Sequence, residues 1–414
     1  MSREPVTPVF EALRRHGPPG AALGAKLAGG GAIEIEALGA TTRLSDQREL
    51  VDFGSYGVTL LGHRHPAVTS AVVRQLGRMP TATRTLANPA LARLMTELVN
   101  RLDGRLTKVW FGSDGADAVE LALKLARRRT GRSRVLAVRG AFHGKTLGAL
   151  ALTFNPAFRA GLEPLLASVA HLDPVDPEAV LREVDAGDVA AIVFEPVQGE
   201  AGVRPLAPAV LRRWAADARA AGVYVISDEV QVGLRRCGDV SLALAAGIEP
   251  DAVLFGKALG GGVVPLSAVV ATEDLYAPLA ADPTWHTATF AGHPLSCAAG
   301  AAALAAIDEL APRGRRLAQR LDQGLEGLRA EHPAVVCEVR GAGLLWGLEL
   351  ASESIAGAAL VELASRGLLV SPCLCSGTTI RLLPPMVTTD QQLERAFEAL
   401  SAALSCAAEY LEDR

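Results

Sequence analysis

From about residue 105 to residue 271, short apolar runs alternate with longer stretches whose apolar positions recur every three or four residues. The runs are "LTKVWF" (106–111), "RVLAV" (134–138), "AAIVF" (190–194), "VYVIS" (223–227), "AVLF" (252–255) and "LSAVVA" (266–271). Each is short and mostly apolar, with several β-branched residues among them, as expected of strands buried on both faces. Between them, "GADAVELALKLARRR" (115–129) and "PAVLRRWAADARAAG" (208–222) carry the helical period. Strands alternating with helices predict an α/β fold with a mostly parallel central sheet and helices on both faces.

The pattern changes at either end. After about residue 300, "LAQRLDQGLEGLRAEHP" reads as a helix and "VVCEVRGAGLLWGLEL" as strand, turn and strand; a helix at 357–367, a short strand and a final helix at 391–411 follow. This is a smaller α+β domain. The expected division is 1–50, an N-terminal segment of the small domain; 51–300, the large domain; and 301–414, the C-terminal part of the small domain. At 414 residues, more than one core is required.

In an open parallel sheet, ligands sit beyond the carboxyl ends of the strands. Directly past the predicted strands lie "GSDGA" (112–116), "GAFHG" (140–144), "EPVQGE" (195–200), "SDEVQ" (227–231) and "GKALGGG" (256–262). Each has an ordinary explanation: a helix cap at Ser113 or Asp114, a loop histidine, a capping Asp228, a flexible glycine turn. Together they match the needs of pyridoxal phosphate. Amides at a helix start, Gly115 and Ala116, suit its phosphate. Phe142 offers a face to its ring, and Asp228 a carboxylate to its pyridine nitrogen. Lys257 can form a Schiff base with its aldehyde. The chain has 41 basic residues but only five lysines, Lys26, Lys108, Lys124, Lys145 and Lys257. An amine in an otherwise uncharged stretch can lose its proton and act as a nucleophile, which a guanidinium does not do. The glycines after Lys257 are expected to let backbone approach the cofactor.

A net charge of −4 gives no electrostatic footprint for nucleic acid or an anionic membrane. "RRRTGRSR" (127–134) reads as a solvated helix end and turn. Six scattered cysteines contain no CxxC pair, which predicts reduced, mostly buried thiols and no metal site. The N-terminus has no signal-peptide core. The uncharged stretch 287–307 reads as a loop followed by a buried Ala-rich helix, with too little apolar bulk to span a bilayer. The expected location is cytoplasmic. "GAGLLWG" (341–347) lacks a following helix, so it is not a nucleotide turn, and "GKA" lacks the hydroxyl residue of a phosphate-binding Walker motif.

From about Leu50 to Thr389 the sequence resembles the class III, fold-type I aminotransferases. The segments that carry the resemblance are "DFGSYGVTLLGHRHPAV", "FGSDGADAVELALKLAR", "GAFHGKTLGALALT", "EPVQGEAGV", "SDEVQVGLRRCG", "GKALGGGVVPLSAVVATE", "HTATFAGHPLSCAAGAAAL", "VRGAGLLWGLEL" and "IRLLPPMV". Within the family, "GAFHGKTLGAL", "LGGGVVP", "DPTWHTATF" and "TTIRLLPPMVTT" look most like putrescine (diamine) aminotransferases, with acetylornithine and ornithine aminotransferases further off. The resemblance implies that Lys257 bonds to the cofactor and then transfers the proton. It implies that Asp228 meets the pyridine nitrogen, Gln231 the ring hydroxyl, and Phe142 and Val230 the two ring faces. Gly115 and Ala116 would hold the phosphate with Thr289 of a second subunit, making a homodimer the active unit. Glu200 and Arg381 resemble a gated pair in which the arginine takes a substrate carboxylate. Glu195 would lie beside the same site, and Tyr56 in a pocket wall.

The chain departs from the family pattern at Asp114, expected to turn away from the phosphate and cap the helix. It also departs at Lys145, where the ornithine and acetylornithine branches carry an arginine for the α-carboxylate, and at His293 and Cys237. The Lys145 departure favours a donor without an α-carboxylate. The function implied is transfer of a terminal (omega) amino group between a diamine, an omega-amino compound or, in reverse, an aldehyde, and a 2-oxo acid such as 2-oxoglutarate or pyruvate. An acetylornithine or ornithine aminotransferase and an aminomutase of the same fold are the alternatives.

Overall fold

The computed structural model describes residues 6–412. One compact unit, Pro66–Ala311, is built on a seven-stranded sheet. Across it the strands run in the order Lys108–Gly112, Ser267–Ala271, Ala252–Phe255, Tyr224–Asp228, Val189–Phe194, Arg134–Val138, Val169–Leu172. Ser267–Ala271 is antiparallel to both neighbours, and the remaining pairs are parallel. Six of these strands coincide with the apolar runs to within two residues. The seventh, Val169–Leu172, is an edge strand with one fully buried residue, so it has no apolar run to be read.

Alternate residues of each strand face opposite cores, and both sets are apolar. Val135, Ala137, Val193, Ile226 and Leu254 pack with the helix Gly115–Thr130. Leu136, Val138, Ile192, Phe194 and Val225 pack with Leu211 and Trp214 of the helix Pro208–Ala220. Each buried Val, Leu, Ile or Phe contributes about 1.5–3 kcal/mol. This two-sided burial is why the strands read as continuous apolar runs rather than alternating ones.

The second unit joins the chain up to His65 with the chain from Pro312. Glu34–Leu38, Thr41–Leu44 and Glu49–Asp52 form an antiparallel sheet that Leu368–Leu369 joins in parallel. Val336–Ala342 and Leu345–Leu350 form the expected hairpin over "GAGLLWG", and Ser376–Leu382 and Ser371–Cys373 extend it. Helices Val6–His16, Pro19–Ala28, Glu353–Ser365 and Asp390–Glu412 belong to the same unit.

The units change over after His65 and Ala311, later than residues 50 and 300. His63 still bridges Gly39, which keeps the turn after Glu49–Asp52 with its own sheet. A Cβ on Gly300 would meet Leu266 at 2.8 Å and Leu94 at 3.0 Å, so that stretch packs within Pro66–Ala311.

The two helices read around residues 295–333 are one helix of 38 residues, Pro294–Glu331, which continues through Pro312. Its mean hydropathy reaches 1.3 over eighteen residues, enough by length and composition alone to cross a membrane, a test that buried core helices also pass. In the structure 56% of that window is buried within the protein. The cysteines are less buried than expected: Cys297 and Cys373 are buried, Cys337 is exposed, and Cys237, Cys375 and Cys406 lie between.

Candidate active site

The strand ends of the Pro66–Ala311 unit bring the expected residues to one edge of the sheet. After Lys108–Gly112 the chain turns into the helix Gly115–Thr130. Asp114 caps it, accepting from the Asp117 amide at 3.1 Å, while Asp117 accepts from the Ser113 amide at 2.9 Å. The carboxylate is therefore occupied in capping, as expected. The first-turn amides of Gly115 and Ala116 have no carbonyl within the helix to bond, and they meet the positive end of its dipole.

Asp228 ends the strand Tyr224–Asp228 and is 5% exposed. Its Oδ1 accepts from the Val230 amide at 3.1 Å, and its Oδ2 faces Nδ1 of His143 at 2.7 Å. No helix starts at Asp228; the helix-capping role belongs to its neighbour. Glu229, fully buried, accepts from Ser241 Oγ at 2.6 Å, the Leu242 amide at 2.7 Å and the Ala243 amide at 3.1 Å. Two adjacent acids thus serve different ends.

His143 is the residue that motif reading missed, because a histidine beside a glycine carries little signal by itself. Its partner is 85 residues away and only the sheet topology joins them. Its backbone is fixed by Thr153, whose hydroxyl accepts from the His143 amide at 3.0 Å and donates to the Gly144 carbonyl at 3.0 Å. Burial works against charging the ring. The hydrogen bond to Asp228 and the charges of Asp228 and Glu195 outweigh it, so His143 titrates above its ordinary range. The atom Nε2 is buried with no partner among the described residues.

Glu195, expected among substrate contacts, is 6% exposed, and its Oε1 accepts from the Phe142 amide at 2.9 Å. Burial pushes its carboxyl up from 4.5 to about 7; the charge of Asp228 adds to this, while His143, the Phe142 amide and Lys257 oppose it. Glu195 therefore anchors the loop that carries Phe142 and His143.

Lys257 follows Gly256 at the end of Ala252–Phe255 and has a left-handed backbone, φ 42°. A lysine in that region is strained, and such residues cluster at functional sites. Gly261 and Gly262 turn the chain at φ 65° and 72°, and a Cβ on Gly261 would strike Val68 at 2.8 Å. They let this turn pack on its own unit.

Val230 fills the space between Gly115 and Gly256: a Cβ on the first would meet its Cγ1 at 2.8 Å, on the second at 3.0 Å. A Cβ on Gly199 would lie 1.5 Å from Gln231 Oε1. Gln231 Nε2 lies 3.5 Å from Glu200 Oε1, and both residues are buried. Lys145 is exposed, with Nζ 4.1 Å from the ring centroid of Phe158, which packs edge-on to Phe142 at 6.3 Å. Thr289 is exposed on the loop before Pro294. Tyr56 and Arg381 belong to the other unit, Tyr56 62% exposed in a turn and Arg381 fully buried in Ser376–Leu382.

The unit thus sets a dipole-backed amide pair, a His-supported aspartate, an aromatic on an anchored loop and a strained lysine at neighbouring strand ends. That donor set fits a phosphorylated pyridine aldehyde: anion at the helix start, ring nitrogen at the carboxylate, aldehyde at the amine.

The sequence profile described as Aminotransferase class-III matches residues 32–404. The putrescine aminotransferase of Pectobacterium atrosepticum is 38% identical over 383 residues, 89% of this chain and 81% of that protein. The ornithine aminotransferase from Toxoplasma gondii ME49 superposes with a TM-score of 0.89 at 28% identity, covering 98% of this chain and 96% of that one. An amine transaminase from an uncultivated Pseudomonas species, solved in its PLP-bound form, gives 0.84 at 27% identity over 91% and 95% of the two chains. By family and fold alike, this chain belongs to the class-III aminotransferases, whose cofactor is pyridoxal phosphate.

Proposed function

We propose that this transaminase moves a terminal amino group from a diamine or other omega-amino compound to a 2-oxo acid such as 2-oxoglutarate or pyruvate. The observation that carries the donor class is Lys145. It stands where the ornithine and acetylornithine branches have an arginine, and its ammonium is set against the Phe158 face. A flexible point charge in that setting makes a poor bidentate grip for an α-carboxylate. The similarity to a putrescine aminotransferase supports the same choice.

The bound cofactor supplies an aldehyde that captures amines and a ring that withdraws electrons. In our reading, Gly115 and Ala116 receive its phosphate, with Thr289 of a second copy completing that end in a homodimer. Phe142 and Val230 hold the two ring faces, and Gln231 meets the ring hydroxyl. Asp228 keeps a proton on the ring nitrogen. His143 holds Asp228 Oδ2, and the backbone grip of Glu195 on Phe142 keeps both loop residues in place. Lys257 Nζ holds the cofactor and is the base that takes a proton from the amine-bearing carbon of the donor. Arg381 takes the carboxylate of the 2-oxo acid.

A donor panel tests the reading. Putrescine and longer diamines should give higher kcat/KM with 2-oxoglutarate or pyruvate than ornithine and N-acetylornithine. A clear preference for N-acetylornithine would favour the acetylornithine branch. Turnover of a single amino compound with no 2-oxo acid present would identify an aminomutase.

A further inference from the structure

Within the Pro66–Ala311 unit, the loop that carries Phe142 also supports one further aromatic ring. The loop lies against the start of the helix Gly115–Thr130. A Cβ on Gly144, whose φ is 131°, would meet Ala116 Cβ at 2.8 Å and Ala149 Cβ at 3.1 Å. The short helix Leu147–Leu152 follows, and the chain then returns to the loop. Thr153 bonds the His143 amide and the Gly144 carbonyl, and the Phe154 amide donates to the Ala141 carbonyl at 2.9 Å. Asn155 caps a single turn, Pro156–Arg159, by accepting from the Ala157 amide at 3.0 Å. Pro156 fixes φ at the first position of that turn. The backbone of Phe158 is therefore tied, through its neighbours, to the backbone of the Phe142 loop.

The Phe158 side chain is half-buried. Its ring meets the Phe142 ring almost at right angles, with 83° between the planes and 6.3 Å between centroids. The Lys145 ammonium lies over the Phe158 ring, 4.1 Å from its centroid. The first contact is an arrangement that ring quadrupoles favour, and the second sets a cation against a negative ring face.

We propose that Phe158 is a positioning residue for the cofactor, setting the tilt of the Phe142 ring by this perpendicular contact, and that Lys145 steadies Phe158. The proposal rests on the reading of Phe142 as the ring that covers one face of the cofactor. Glu195 grips only the backbone amide of Phe142, which leaves the ring plane to be set by something else. The last torsion of a phenylalanine is broad, so a fixed neighbouring ring is needed to select one plane. A stacking face selected before the cofactor arrives lowers the ordering cost of binding it. Lys145 thereby has a task that involves no substrate carboxylate.

The test follows the loaded enzyme in the absence of substrate. The readings are the rate of cofactor loss on dilution and the visible-region circular dichroism of the bound cofactor. Phe158→Leu keeps apolar bulk but removes the ring. It should speed cofactor loss roughly two- to tenfold, the size of one aromatic pair, and change the dichroic band. Phe158→Tyr keeps the ring and should restore both readings. Lys145→Met keeps the stem without the charge and should shift both in the same direction by less. In a Phe142→Leu background, Phe158→Leu should add nothing further. Wild-type readings in Phe158→Leu, or an effect that adds in full to that of Phe142→Leu, would overturn the proposal. Should Phe158→Leu fail to fold, unchanged cofactor loss in Lys145→Met with a raised donor KM would overturn it instead, by making the lysine a donor contact. If Phe142→Leu left both readings unchanged, the reading of Phe142 would fall and the proposal with it. A clear effect of Phe142→Leu with none from Phe158→Leu would reject the proposal and spare that reading.

Discussion

Asp228 and Asp52 are built alike and do different work. Each ends a strand, each accepts from the amide two residues on, and each meets a histidine nitrogen at 2.7 Å. The difference lies in what surrounds the pair. Around Asp52 a serine hydroxyl takes the remaining acceptor position, and His63 has a side chain 20% exposed, so the group closes on itself as a clamp. Around Asp228 the histidine side chain is wholly buried, and Glu195 and Lys257 lie within electrostatic reach of one another. The same small motif fixes backbone where its acceptors are saturated. Beside other buried charges it instead supplies a supported carboxylate. On our account the first holds a turn and the second supports the chemistry.

Removing the group that most separates the two regions should have the largest effect. Lys257→Ala should abolish transamination, whereas cofactor can still be held through phosphate and ring contacts; single-turnover kinetics with cofactor quantitation reads both. Next, Asp228→Asn should slow proton abstraction by roughly a hundredfold or more, with circular dichroism unchanged. The corresponding change at Asp52 should spare the chemical step. An unchanged rate in Asp228→Asn would make the two aspartates equivalent after all.

Arg381→Ala should separate the half-reactions. Loss of a charge-assisted bidentate contact costs about 2–5 kcal/mol toward the carboxylate-bearing 2-oxo acid. The half-reaction with putrescine should change much less, and equal losses in both would favour a donor whose own carboxylate uses Arg381. A smaller effect is expected from His143→Gln, which leaves a neutral partner beside Asp228. A charged hydrogen bond is worth about 1.5–3 kcal/mol, and the loss should appear in the rate of proton abstraction rather than in donor KM.

The smallest effect is on stability. The carboxyl of Glu195 is raised from 4.5 to about 7 in the folded chain. The folded state therefore holds this proton more tightly than the unfolded chain does. Its contribution is fully present below pH 4.5 and is lost as pH rises through about 7. In cofactor-free protein, Glu195→Gln should flatten the fall in melting temperature across that window.

Much of the Pro66–Ala311 unit was legible because its strands are buried on both faces, and position along a parallel sheet is enough to place Asp228, Phe142 and Lys257 at one edge. What escaped notice depends on contacts distant in sequence. His143 gains meaning only beside Asp228; Glu195 was visible as a residue beside the site, but its grip on the Phe142 amide was not. The edge strand Val169–Leu172 has too little buried surface to mark itself, and the two helical stretches on either side of Pro312 are one helix. The glycines after Lys257 were visible, but the packing of Gly261 against Val68 was not.

The central claim is that Lys257 is the residue that carries the cofactor. Borohydride reduction of the loaded enzyme fixes the cofactor to whichever lysine holds it, and peptide mass spectrometry then locates it. The account predicts the adduct on the peptide containing Lys257 and on none containing Lys26, Lys108, Lys124 or Lys145. An adduct on any of those four, with Lys257 unmodified, would contradict it.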